Sequence, residues 1–327
     1  MRGKLLTVLT SVMVSLAVLE AVLRLWGFSY HLYPERIEFG APAPVAMSEK
    51  YLPDRTLLWV AGDYPVKIAA LRQTHPALIF MGDSCTQLGD YPRRLVQLLK
   101  QDGRLASLEY GSLGVSGWSS YQGLQQFRRD IVELAPRLVT VYYGWNDHWY
   151  GFGIADKDVA RVRSRLFATL DALRLIQLGT KAAMTIAQRQ QPSRPLRVPL
   201  DEFKANLREM VVLARRHGIA LVLLTAPSSH RTGHEPAYLT LRWIENLAEL
   251  VPLHQSYVNA VREVAREEGV HLCDLAAEFQ NLPPKELEAS FLADGIHLTA
   301  DGNQRTAEFL YQCFVADHLV ALLAERP

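Results

Sequence analysis

The chain has 327 residues, 49% of them hydrophobic, and its 35 basic side chains against 34 acidic ones leave a formal net charge of +1. That length suits one α/β domain with insertions better than two domains, and the near-neutral balance gives no electrostatic basis for binding nucleic acid. Three cysteines, Cys85, Cys273 and Cys313, make an odd set with no metal-ligand spacing. Cys273 falls in an apparent core strand and Cys313 in an apparent core helix, so both are expected to be buried as small apolar residues, with no disulfide framework.

Arg2 and Lys4 precede an apolar run over residues 5–19 that continues through Glu20 and Arg24 to Trp26 and Phe28. About 20 such residues span a bilayer core, so residues 1–28 read as an N-terminal signal anchor. Glu20 and Arg24 lie four apart on one helix face and can pair. They can also snorkel toward the interface, with Trp26 as an aromatic anchor. Basic residues before the span predict a cytoplasmic N-terminus, hence a single pass through the cytoplasmic membrane and a periplasmic or extracellular domain. A cleaved signal peptide is the rival reading, but no small-x-small site follows the run.

Residues 29–74, rich in Pro, Tyr and Glu, read as a stalk, and residues 75–327 as the folded domain. There, short apolar segments alternate with amphipathic ones. Strands are expected over 77–81, 106–110, 138–143, 219–225 and 271–275, and helices over 92–101, 120–134, 200–217, 256–268 and 300–324. Gly218 and Gly269 follow basic last turns, as glycines that end helices do. The alternation predicts a parallel sheet covered on both faces, a three-layer α/β/α flavodoxin-like domain.

Residues 152–199 interrupt this pattern with a helix over about 159–188 and a Gln/Arg/Pro-rich linker over 190–199. Arg161, Arg163, Arg165, Arg174 and Lys181 interleave there with Leu166, Phe167, Leu170, Leu173 and Ile176. The insertion reads either as a lid or membrane-surface helix, or as an amphipathic helix pair packed on the domain with a solvated basic face.

Three blocks carry the chemistry, in the order Gly82-Asp83-Ser84, Gly144-Trp145-Asn146-Asp147 and Asp294-Gly295-Ile296-His297. Ser84 follows the apolar run at 77–81, on a glycine-permitted turn that would project its hydroxyl from the carboxyl edge of a sheet, where open α/β sheets place their sites. A serine needs a base to become nucleophilic. His297 can supply it, with Asp294 accepting from its other ring nitrogen. Thr299 suits the N-cap of the last helix and Asp301 its first turn, which would fix His297 in place. Asp83 and Asp147 read as turn- and loop-ordering carboxylates. His148 and Trp149 either line the pocket or simply pack.

With Gly111-Ser-Leu-Gly-Val-Ser-Gly117-Trp-Ser-Ser added, these blocks resemble the SGNH or GDSL hydrolases over roughly residues 78–323. Ser112 stands where that family often has Asn, and Cys85 where it often has Leu. The resemblance implies the SGNH-hydrolase fold, Ser84, Asp294 and His297 as catalytic residues, and an oxyanion hole from the backbone N–H groups of Ser84 and Gly117 and the side-chain amide of Asn146. The residues imply no cofactor and no metal. His230-x-x-x-His234 has metal-like spacing but no evident third ligand. Gly111-x-x-Gly114-x-x-Gly117 lacks the dinucleotide-binding spacing.

The expected function is a membrane-anchored serine esterase that cleaves or transfers O-acyl groups, acetyl foremost, on an extracytoplasmic glycan. The glycan rests on analogy with anchored members of the family. A lysophospholipase or thioesterase acting on lipid esters is the alternative within the enzyme class. A glycan-binding or assembly subunit without turnover is the alternative outside it.

Overall fold

The computed structural model describes residues 2–31, 38–39, 45–46, 50–101, 103–151, 154–162, 170, 172–189, 195–241 and 244–324. Of the insertion, Arg163, Arg165, Leu166 and Phe167, the Arg161 side chain and linker residues 190–194 lie outside the described residues, as do stalk residues 32–37, 40–44 and 47–49.

Helix α1 (Arg2–Leu25) contains 20 residues, Leu6–Leu25, long and apolar enough to cross a membrane, and almost none of that stretch is buried. Glu20 and Arg24 pair at 2.7 Å, as their spacing predicts. After a two-residue antiparallel pair, Glu38–Phe39 with Val45–Ala46, comes an antiparallel hairpin, β1 (Tyr51–Asp54) and β2 (Leu58–Ala61), then helix α2 (Tyr64–Thr74). These elements do not form a stalk. Leu57, Trp59, Tyr64 and Ile68 are each at most 5% exposed and join the main core, and the Tyr64 hydroxyl donates to buried Asp130 at 2.7 Å. Burying each such side chain is worth about 1.5–3 kcal/mol, so the packed domain begins near residue 50 rather than 75.

The sheet has five parallel strands: β3 (Leu78–Gly82), β4 (Tyr110–Ser112), β5 (Leu138–Tyr142), β6 (Ala220–Leu224) and β7 (His271–Cys273). Their spatial order is β4-β3-β5-β6-β7, the flavodoxin-like order expected from the alternation. Side chains alternate between two cores, Ile79, Met81, Val139 and Val141 on one face and Leu78, Phe80, Leu138 and Tyr142 on the other. Both faces are covered, which is why β3 and β6 read as unbroken apolar runs.

The first face is packed by α5 (Ser120–Gln126), continued by a π-helical turn through Leu134, by α7 (Leu200–Arg216) and by α8 (Leu250–Glu268). The second is packed by α4 (Tyr91–Lys100), α9 (Ala300–Ala316) and α10 (Leu319–Ala324). The expected strand over 106–110 pairs only from Tyr110 onward, and the expected last helix breaks at His318, whose φ is 58°. Between α5 and α7 the insertion holds a short helix, Asp156–Val162, and helix α6 (Arg174–Arg189).

One expectation fails outright. Cys273 at the end of β7 and Cys313 in α9 form a disulfide, with Cα atoms 6.0 Å apart. The two positions lie 40 residues apart, and only the packing of α9 against the sheet edge brings them together. Cys85 is buried as a free thiol.

Candidate active site

Strand β3 is flanked by β4 and β5, so the chain leaves its carboxyl end first to one side and later to the other. Open α/β sheets hold ligands in the crevice at such a switch point. Ser84 stands there as the first residue of the short helix α3 (Ser84–Gln87). Asp83 caps that helix, one carboxylate oxygen accepting the Cys85 N–H at 2.9 Å. The turn leaves no room for a side chain at Gly82, where a Cβ would meet the Thr86 hydroxyl at 2.1 Å and the Tyr142 carbonyl at 2.9 Å.

His297 approaches from the loop before α9. Its Nε2 lies 2.9 Å from Ser84 Oγ and its Nδ1 2.7 Å from Asp294 Oδ2. The other Asp294 oxygen accepts the backbone N–H groups of Ile296 and His297, each at 2.9 Å. An anionic acceptor at Nδ1 fixes the tautomer, so Nδ1–H donates and Nε2 faces Ser84 as the acceptor. Burial alone would raise the Asp294 carboxyl, but hydrogen bonds from the His297 ring and the two amides outweigh it and hold it below its ordinary value. Thr299 caps α9 as expected, accepting the Gly302 N–H at 3.2 Å.

The loop after β4 lies against the Ser84 turn, Val115 N–H donating to the Gly82 carbonyl at 3.1 Å and Ser116 N–H to Gln87 Oε1 at 2.5 Å. It leads directly into Gly117. Asn146, 9% exposed, enters from the loop after β5 and donates through its amide nitrogen to Asp83 Oδ2 at 3.1 Å. That nitrogen carries a second N–H. Ser84, at the start of α3, and Gly117, Asn146, Asp294 and His297, on loops, thus meet at one edge of the sheet.

Asp83 and Asp147 order backbone as expected. Asp147 Oδ1 accepts the Ser120 N–H at 2.8 Å, while its buried Oδ2 has no partner. Burial raises the Asp147 carboxyl to about 7 and also raises that of Asp83. His148 and Trp149 pack rather than line an opening. His148 bonds His254 at 3.0 Å, and the His254 ring stacks on Trp145 at 3.8 Å. Burial lowers both histidines, His254 to about 3, which leaves them neutral.

His230 donates to the Asp294 carbonyl at 2.7 Å and so supports the loop that carries Asp294 and His297. With His234, Arg231 and Gly295 it lines a cavity of about 300 Å³ beside that loop. Among the described residues, no group of three or more His, Cys, Asp or Glu could hold a metal ion. Sequence reasoning passed over Asp156 and Arg197, a buried pair at 2.8 Å that reaches the Gly117 carbonyl. No local pattern marks either residue, because their partners lie 37 to 80 positions away.

The sequence profile of the GDSL-like Lipase/Acylhydrolase family matches residues 80–305. An isoamyl acetate-hydrolyzing esterase 1 homolog from Mus musculus is 33% identical over 129 residues, 38% of this chain and 49% of that protein. Its counterpart from Rattus norvegicus is 34% identical over 117 residues, 35% of this chain and 44% of that protein. The matched stretch therefore spans less than half of either relative. A GDSL-like lipase structure from Bacteroides thetaiotaomicron superposes with a TM-score of 0.49 at 19% identity, covering 78% of this chain and 96% of that one. With the profile matched across more than half of its length, the chain belongs to the GDSL-like lipase/acylhydrolase family.

Proposed function

We propose that the chain is a serine esterase that removes short O-acyl groups, acetyl foremost, through an acyl-serine intermediate. The observation that carries this reading is the relay from Ser84 Oγ to His297 Nε2 at 2.9 Å and from His297 Nδ1 to Asp294 at 2.7 Å. As Ser84 Oγ attacks the ester carbonyl carbon, its proton passes to His297 Nε2, and Asp294 stabilises the imidazolium that forms. The carbonyl electron pair moves onto oxygen, where the Ser84 and Gly117 N–H groups and the Asn146 amide receive it. Collapse of this intermediate breaks the bond to the alcohol oxygen, which leaves with the proton from His297. Water, deprotonated by the same nitrogen, then cleaves the acyl-serine and releases the acid.

The name of the rodent relatives, which speaks of an acetate ester, favours a short acyl group. The reading extends to an acylated extracytoplasmic glycan. Helix α1 is long and apolar enough to anchor the chain, and Arg2 and Lys4 before it favour a cytoplasmic N-terminus. A disulfide between Cys273 and Cys313 suits an oxidising compartment.

The test is hydrolysis of activated esters of increasing acyl length by the full chain in detergent, beside Ser84→Ala. Turnover that is fastest on acetyl and falls by about 10³-fold or more in the variant is the expected result. Preference for long chains would move the substrate to lipid esters. Full activity in Ser84→Ala would end the serine mechanism.

A further inference from the structure

Gly117 is the least constrained member of the proposed oxyanion hole, since glycine resists rotation of its peptides less than any other residue, and this one has φ +76°. Whether its N–H points at the reacting carbonyl depends on what holds the peptides on either side. Both are held from outside the loop. The Arg197 guanidinium donates to the Gly117 carbonyl at 2.6 Å. The Trp59 indole N–H reaches the Ser116 carbonyl, which belongs to the same peptide as the Gly117 N–H, at 3.4 Å.

Arg197 is itself fixed. Its side chain is 6% exposed, and it pairs with Asp156, 1% exposed, at 2.8 Å. It also donates to Gln122 at 3.0 Å and lies over the Trp59 ring at 5.4 Å. Asp156 in turn accepts the Ser119 hydroxyl at 2.7 Å. The backbone around Arg197 meets the second oxyanion loop, Arg197 N–H donating to the Trp149 carbonyl at 2.8 Å and Val198 N–H to the Asp147 carbonyl at 3.0 Å. One short segment at the end of the insertion therefore grips the loops of both Gly117 and Asn146.

We infer that Arg197, held by Asp156, is a positioning residue that aims the Gly117 N–H and ties the two oxyanion loops together, so that the insertion completes the oxyanion hole. This rests on Ser84 being the nucleophile and Gly117 an oxyanion donor. A guanidinium is needed because its planar fork reaches Asp156, Gln122 and the Gly117 carbonyl together, which a lysine ammonium cannot do in one geometry.

The experiment uses the full chain in detergent, with active serines counted by exhaustive fluorophosphonate labelling so that turnover is expressed per labelled site. Arg197→Lys is expected to lower kcat per site by about 10–100-fold, less than loss of a whole oxyanion donor, with KM within about twofold. It should weaken binding of a trifluoromethyl ketone, which forms a tetrahedral adduct on serine, by the same factor as kcat/KM. Asp156→Asn, which keeps the shape and the Ser119 contact, should shift kcat in the same direction by a smaller factor, and it carries the test if the lysine variant fails to fold. A merely structural role would reduce the number of labelled sites and leave kcat per site unchanged, which would overturn the inference. A wild type that neither hydrolyses esters nor takes the label would overturn the serine reading itself, and this inference with it.

Discussion

Asp83 accepts the Cys85 N–H with one oxygen and the Asn146 amide with the other, so one buried carboxylate sets both the Ser84 turn and the direction of a proposed oxyanion donor. Asn146→Ala should lower kcat by about 10²–10³-fold. Asp83→Ala should produce a loss in the same direction by freeing Asn146 to turn. Combining the two should cost little more than Asn146→Ala alone, since the first acts through the second. Fully additive losses in steady-state kinetics would show that Asp83 acts elsewhere. Asp147 makes a different prediction. Its carboxyl titrates at about 7 in the folded chain because burial, opposed by the Ser120 hydrogen bond and by Arg197, disfavours the charge. An unfolded aspartate titrates near 3.9. Between those values the folded chain holds a proton that the unfolded chain has released, so its contribution to stability is full below about pH 4, declines as pH rises and is lost above about pH 7. Relative to wild type, Asp147→Asn should therefore gain in thermal midpoint from about pH 5 to pH 8. A difference that does not change with pH would show that Asp147 is not protonated in the fold.

The elements that could be read from sequence are those whose signal is local. Strands β3 and β6 are unbroken apolar runs, Ser84 and Asn146 sit in short motifs just after β3 and β5, and Asp294 and His297 share a short motif just before α9. The hairpin of β1 and β2 was hidden by its Pro and Tyr content, although Leu57 and Trp59 are wholly buried, because their partners lie about 60 residues away, Trp118 Nε1–H donating to the Trp59 carbonyl at 2.9 Å. Helix α6 is a similar case. Its first amides, those of Arg174 and Leu175, are capped not by a neighbour but by the Glu20 carboxylate of α1, at 3.0 and 2.9 Å. The same carboxylate holds Arg24, whose guanidinium reaches the Ala172 carbonyl at 2.9 Å. A spacing of four residues predicts the Glu20–Arg24 pair, but nothing local predicts that the pair receives a second helix. Losing such a cap costs about 1 kcal/mol. In Glu20→Ala, exchange of the Arg174 and Leu175 amides should quicken by about fivefold, while amides in β3 and β5 stay protected. Unchanged exchange at the start of α6 would mean that α1 and α6 are not coupled through Glu20.

At the scale of the molecule, the proposed chemistry depends on segments far apart in sequence being held to one sheet edge, and the Cys273–Cys313 disulfide closes the loop that contains Asp294 and His297. Strand β7 is the exposed limit of this arrangement, since it has only three residues and pairs with β6 alone. Helix α9 carries His297 at its entrance, and the disulfide ties it to that short edge. Closing 40 residues removes conformational freedom from the unfolded chain worth about 4 kcal/mol on the chain-entropy account. For a domain of this size that corresponds to a thermal midpoint lower by about 10 °C when both cysteines are replaced by alanine. Cys313 lies sixteen residues beyond His297, well inside α9, and Cys273 ends β7, so turnover per active serine at 25 °C should stay within about twofold of wild type. The two readouts separate a staple from a catalytic element. A lower midpoint with intact turnover means that the bond holds the edge strand and α9 together while Ser84, His297 and Asp294 keep their geometry through the Asp294 hydrogen bonds. Turnover that falls with the midpoint unchanged would mean instead that the position of His297 depends on the tie between α9 and β7, and that the loop cannot hold its geometry alone.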